Sequence, residues 1–291
     1  MAGEHSVTQT AFGPMVLAAV EQNEPADRRL VSDDLARSFL PGGLRAVVDA
    51  TRLAPLRRLM IWGSERAGPG LWANLAGRKR FIDERLDEVL SEIDAVVVLG
   101  AGFDTRAYRL ARRSDVPVFE VDLPENITRK RAVVQRAFGA VPPSVQLVPV
   151  DFENDDLATK LTEQGYRSDA RTFVIWEGVT QYLTEAAARA TLEHLRDAVP
   201  GSRLVFTYVR KDFLDGTNMF GAETLYRRFR VRQQMWDFGI QPEDVSAFMA
   251  GYGWRLVEQA GPDYIERNYV RPAGRDLTAS QIEWTAYAEK V

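Results

Sequence analysis

The chain has 291 residues, 45% of them hydrophobic and 27% charged, with a net charge of −4; this is the profile of a soluble globular protein with one large domain or two small ones. It has no cysteine and only two histidines, His5 and His194, which excludes thiolate nucleophiles, disulfide scaffolds and zinc fingers. A two-histidine metal site would need both, and one lies at the extreme N-terminus. The acidic balance and the lack of a long basic run leave no footprint for nucleic acid. No apolar run reaches the ~18 residues needed to span a bilayer, and MAGEHSVTQTAFGP lacks the form of a secretory signal, so the expected location is cytoplasmic.

No internal repeat or low-complexity segment is visible. DDLARSFL and LRAVVDATRLAPLRRLMIW carry helical spacing, and in RFIDERLDEVLSEID the residues Ile82, Leu86, Val89 and Ile93 share one helical face. From Ala95 the texture changes. AVVVLGAG, VPVFEVD, VQLVPVD, TFVIWEG and SRLVFTYV read as buried parallel strands. ITRKRAVVQRAF, DLATKLTEQG and TEAAARATLEHLRDAV read as the helices between them, the last with Thr184 as N-cap and Gly201 past its end. The alternation predicts an α/β fold with a Rossmann-like, doubly wound, mostly parallel sheet. Residues 210–250 read as a helical insertion, and WRLVEQA with DYIERNYVRP reads as a terminal strand pair turning at Gly261-Pro262. One domain over 1–291 is expected: a helical cap (1–94), a cofactor-binding core (95–209), a helical lid (210–250) and a C-terminal strand pair and tail (251–291).

VVVLGAGFDTRAYRL is the strongest local signal. Gly100 and Gly102 follow a strand and open a helix at Asp104 or Thr105, so the backbone can turn tightly and approach a ligand. Asp122 stands at the end of the next strand, where an acid accepts both hydroxyls of a ribose. A dinucleotide would need a third glycine where Thr105 stands, and Asp104 would repel a pyrophosphate. Two more strand ends finish in acids, Asp151 and Glu177. A row of acids at the carboxyl ends of strands favours a cationic cofactor without phosphate, which S-adenosylmethionine is.

LGAGFDTRAYRL, FEVDLPE, VDFEND and WEGVTQYLTE, in this order and spacing, resemble the leucine carboxyl methyltransferase family. The likeness is closer to its bacterial branch of S-adenosylmethionine-dependent methyltransferases, which includes polyketide O-methyltransferases. It runs from about Arg78 to the C-terminus, whose RPAGRDLTASQIEWTAYAEKV is distinctive but carries no chemistry. The resemblance implies that Arg78 grips the cofactor carboxylate and that Gly100, Ala101 and Gly102 lie under its methionine part. It implies that Asp122, followed by Leu123, holds the ribose, and that Asp151 with Phe152 meets the adenine. Glu177 would lie near the cofactor amino acid, and Tyr182 would face the acceptor. Weighed alone, Arg78 on its charge-rich helix reads as a surface arginine, and Tyr182 reads equally as a core tyrosine or a site residue.

Methyl transfer from a sulfonium asks mainly for proximity and alignment. A carboxylate acceptor needs no base, whereas a phenol, with a reference pKa near ~10, gains from one. His194, on the helix TEAAARATLEHLRDAV, reads as a surface residue, and His5 lies in a tail. The expected target is therefore an acidic or carboxyl group, or a hydroxyl handled by Tyr182 and an arginine, on a small molecule or peptide; the resemblance implies a polyketide or a carboxylic acid as the kind of acceptor. In the insertion, Phe220, Tyr226, Phe229, Met235, Trp236 and Phe238 interleave with Arg227, Arg228, Arg230 and Arg232. They form either a lid over an aromatic or anionic acceptor or an amphipathic helix with its aromatics on the core. The helices around Leu56–Trp72 are expected to form the opposite wall. The rival readings are a NAD-type oxidoreductase and a non-catalytic module that binds the cofactor as a signal.

Overall fold

In the computed structural model, which describes residues 12–151 and 155–291, the described chain from Phe12 up to Ala95 is mainly helical. It forms α1 (Phe12–Glu21), a single turn at Ala36–Phe39, α2 (Gly42–Ala50), α3 (Ala54–Ala67) and α4 (Leu71–Val89). The long run expected from Leu44 to Trp62 is two helices, because Pro55 takes the first turn of a new one. On α4, Ile82, Leu86 and Val89 are buried, as is Ile93 beyond its end, so the apolar stripe faces the sheet. The front is tied to the rest by a buried carboxylate. Glu21 accepts from the Trp72 indole at 2.7 Å, from Leu30 N at 2.8 Å and from Arg275 at 3.2 Å.

The five β-branched runs become the parallel strands β1 (Ala95–Leu99), β2 (Val118–Asp122), β3 (Val145–Pro149), β4 (Thr172–Trp176) and β5 (Arg203–Val209). Between them lie α5 (Arg106–Leu110), α6 (Pro124–Phe138), α7 (Leu157–Glu163) and α8 (Glu185–His194). Thr184 caps α8 by accepting from Ala187 N. The sheet order is β3-β2-β1-β4-β5-β7-β6, where β6 (Trp254–Ala260) and β7 (Glu283–Lys290) run antiparallel. Side chains of β1 alternate between two cores: Val96 and Val98 pack with α4 and α5, and Ala95, Val97 and Leu99 with α7 and α8. Strand order reverses between β1 and β4, which opens a crevice at their carboxyl ends.

Two segments depart from their sequence reading. DYIERNYVRP is not a strand. Pro262–Ile265 and Glu266–Val270 are consecutive helical turns that bury Ile265, Tyr269 and Val270, a spacing of four and five that suits a helix and defeats a strand. The partner of β6 is instead the last stretch of the chain, β7. The insertion is not continuously helical either. It breaks into short turns at Lys211–Leu214, Glu223–Tyr226, Arg227–Arg232 and Val245–Ala250, with Gly216 and Gly221 at positive φ between the first two.

Candidate active site

The crevice at the switch point opens into a cavity of about 1080 Å³. The β1–α5 turn forms its floor. Gly100 has φ +67°, and a Cβ there would stand 2.4 Å from Val179 Cγ2, so only glycine fits. Gly102, at φ +43°, donates its N–H to the Asp122 carboxylate at 2.6 Å. The other carboxylate oxygen accepts from Leu123 N at 2.8 Å and from Asn126 Nδ2 at 2.7 Å. Asp122 therefore fixes the glycine turn and also lines the cavity. A buried pair supports the same turn from beneath: Lys130 Nζ donates to the Ala101 carbonyl at 3.2 Å and is ion-paired with Glu120.

Arg78 and Glu177 meet across this floor. Arg78 Nε donates to Glu177 Oε1 at 2.9 Å, and its Nη1 reaches both oxygens of Glu283 at 2.6 Å. The charge-rich helix had pointed Arg78 outward; it is only 6% exposed, because two carboxylates from distant strands compensate its burial. Burial opposes its charge, and Glu283 and Glu177 overcome that, raising it further above the ordinary arginine value. Burial likewise pushes Glu177 towards its neutral form. Arg106, Lys79 and Arg78 outweigh that effect and hold it down at about 2. Asp104 faces Arg106 in the same way: it accepts from Arg106 N at 2.6 Å and pairs with its guanidinium. Glu177, Asp104 and Glu283 are thus paired with arginines, which the sequence reading of an acidic row did not include, whereas Asp122 accepts from amide N–H groups.

Of the expected residues, Arg78, Gly100, Ala101, Gly102, Asp122, Leu123, Asp151, Glu177 and Tyr182 all line this one cavity. Phe152 lies outside the described residues, as does His5. His194 is exposed at the end of α8, away from the cavity. Of the stretch Leu56–Trp72 expected in the opposite wall, Leu71 lines the cavity, whereas Leu56, Leu59 and Trp62 are exposed on α3; Leu75 of α4 and Gly13–Met15 of α1 complete that wall. Sequence reasoning missed three residues. Glu283 was passed over in a tail read as carrying no chemistry, yet it begins β7 opposite Val209 and reaches the cavity. Arg106 stands inside the quoted GAGFDTR motif and bridges Asp83, Asp104 and Glu177. Lys79 lines the cavity, is 3% exposed, and has no ion-pair partner within 4.0 Å among the described residues. No cluster of three metal-ligating side chains occurs among the described residues, and no helix among them is long and apolar enough to cross a membrane.

A sequence model of the leucine carboxyl methyltransferase family matches residues 11–196. A relative from Mycobacterium avium (strain 104), provisionally named an S-adenosyl-L-methionine-dependent methyltransferase, is 30% identical over 72% of this chain and 72% of its own. One of the same name from Mycobacteroides abscessus is 30% identical over 94% of this chain and 90% of its own. Among solved structures, a provisionally named methyltransferase from Thermobifida fusca YX superposes with TM-score 0.56 at 15% identity, covering 96% of this chain and 94% of its own. A DUF574 family protein from Streptomyces avermitilis gives 0.54 at 13% identity, over 94% and 97%. These two share the fold.

Proposed function

The chain belongs to the leucine carboxyl methyltransferase family and is an S-adenosylmethionine-dependent methyltransferase; from that premise we propose that it methylates an oxygen, carboxyl or hydroxyl, of a small molecule. The residues present fit the cofactor. The glycine turn leaves backbone room beside β1, and the carboxylate of Asp122, which lines the cavity at the end of β2, would hold the ribose. Lys79 is a buried cation with no ion-pair partner among the described residues. Bound there, S-adenosylmethionine supplies a methyl group on a sulfonium, so transfer to an anionic oxygen forms one O–C bond as one S–C bond breaks, with the electron pair left on sulfur and no proton released.

In this reading Asp122 holds the ribose, while Asp151 and Leu123 face the adenine end. Glu177 faces the amino-acid end, and Tyr182 orients the acceptor. The cofactor carboxylate is held chiefly by Lys79, because the guanidinium of Arg78 is already occupied by Glu177 and Glu283. Arg78 then acts as the positioning residue that keeps those two acids apart and ionised. Residues 95–209 bind the cofactor together with Lys79, while the rest of the helical front (12–94) and 210–250 enclose the acceptor, all within one unit.

One observation carries the choice of oxygen: no histidine lines the cavity among the described residues. An acceptor that is already ionised, such as a carboxylate or an acidic hydroxyl, needs no base. A dinucleotide reading is disfavoured by Thr105, which stands at the third glycine position and donates its hydroxyl to Asp33 at 2.7 Å. The test is incubation with S-adenosylmethionine and a panel of carboxylic acids, phenols and amines, read by mass spectrometry. Methyl esters or ethers are expected; methylation confined to the amines overturns the reading.

A further inference from the structure

The two ends of the cavity differ in chemistry. The acids that line it, Asp104, Asp122, Glu125, Asp151, Glu177 and Glu283, lie on strand ends, in the turns just after them or, for Glu125, in the first turn of α6, at the cofactor end. The lid and the short helical turn Thr180–Tyr182 contribute no carboxylate to the wall. They contribute Gln181, Tyr182, Arg228 and Trp236.

Two of these carry unsatisfied polar atoms. Trp236 is 8% exposed and Gln181 5%, yet Trp236 Nε1 and Gln181 Oε1 are buried without any hydrogen-bond partner. The Gln181 amide nitrogen makes no hydrogen bond among the described residues either. The two are neighbours, because Asp237 N donates to the Gln181 carbonyl at 2.7 Å. Buried polar groups in folded proteins are normally paired, so two orphans on one stretch of cavity wall mark a place that a ligand completes. Trp236 N–H and the Arg228 guanidinium can only donate, whereas the amide of Gln181 presents either end when turned. The ring of Trp236 stacks on Phe229, with centroids 4.7 Å apart and planes at 7°, and the Arg228 guanidinium lies 5.0 Å from the Phe229 centroid. Arg228 has no carboxylate within 4.0 Å among the described residues.

We propose that Trp236 and Gln181, backed by the charge of Arg228, form a specificity subsite for the acceptor, and that the acceptor is an apolar, ring-sized organic anion carrying its charge on oxygen. The inference rests on the cofactor occupying the other end of the same cavity. A wall of donors without a carboxylate selects an oxyanion over its neutral counterpart. The stacked aromatics give an apolar body a flat surface.

The test uses the full chain saturated with S-adenosylhomocysteine, with 2-naphthoate and its neutral methyl ester as probes, measured by equilibrium dialysis. Wild-type protein should bind 2-naphthoate at least tenfold more tightly than the ester. Trp236→Phe keeps the stack and removes the N–H, and Gln181→Leu removes the amide. Each should shrink that ratio below threefold while S-adenosylhomocysteine affinity stays within twofold. A ratio near one in the wild type, a ratio unchanged in both variants, or no binding of either probe beside bound S-adenosylhomocysteine overturns the subsite alone. Failure of S-adenosylhomocysteine itself to bind the wild type overturns the cofactor reading and this inference with it.

Discussion

Arg78 and Lys79 are adjacent on α4, and both reach the cavity. Arg78 is held from both sides by Glu177 and Glu283, whereas Lys79 faces the cavity without an ion-pair partner among the described residues. Lys79→Met should therefore weaken S-adenosylhomocysteine binding about tenfold, or ~1.4 kcal/mol. It should leave 5′-methylthioadenosine, which lacks the amino acid, within twofold; calorimetry with the two ligands separates these. Glu177 ties Arg78 to Arg106. Its carboxyl is depressed to about 2 from an ordinary value of 4.5. A depressed acid stabilises the fold above its unfolded-state value, and that stability is lost as pH falls from about 4.5 towards 2. Glu177→Gln should lower stability at pH 7 by ~3 kcal/mol, because it leaves buried guanidinium charge uncompensated. It should also flatten the acid limb between pH 4.5 and 2, as read by urea unfolding over a pH series. Arg78 was legible only through resemblance, since its partners stand 99 and 205 residues away and no local pattern announces them. Glu283 had no signal of its own for the same reason.

Secondary elements were legible where local chemistry is strong. The five β-branched runs bounded by turn residues became the parallel strands, because a strand buried on both faces leaves a continuous apolar run. The C-terminal segment after Gly261 misled because Tyr, Ile and Val favour strands in general. Here Pro262 opens a helical turn and the apolar residues fall at helical spacing. The unit that positions the cofactor turn is β2 packed with α6. Glu120 and Lys130 are both fully buried and paired, and Tyr108 donates to Glu120 at 2.7 Å. Lys130→Met should cost ~3–5 kcal/mol by stranding a buried carboxylate, as measured by denaturant unfolding. Adding Glu120→Gln to that variant should recover at least half of the loss. Equal additive losses from the two changes would show that the pair is not coupled.

At the scale of the molecule, the sheet supplies an edge, the helical front one wall, and the insertion the other. The cavity they enclose changes from strand-end acids, some of them paired with arginines, to unpaired polar atoms on Gln181 and on Trp236 of the lid. That polarity was only half legible. The acids could be read from their places at strand ends, whereas the partners that neutralise them and the wall built by α1 and α4 depend on tertiary approach. A chain without cysteine and with a single exposed histidine among the described residues is consistent with chemistry in which the reactive carbon arrives activated. The most direct test is calorimetric titration of the full chain with S-adenosylhomocysteine and, separately, with NAD. One site per chain for S-adenosylhomocysteine is expected, weakened at least tenfold (~1.4 kcal/mol) by Asp122→Ala, with no heat from NAD. Absent S-adenosylhomocysteine binding, or an affinity that Asp122→Ala leaves unchanged, would contradict the account.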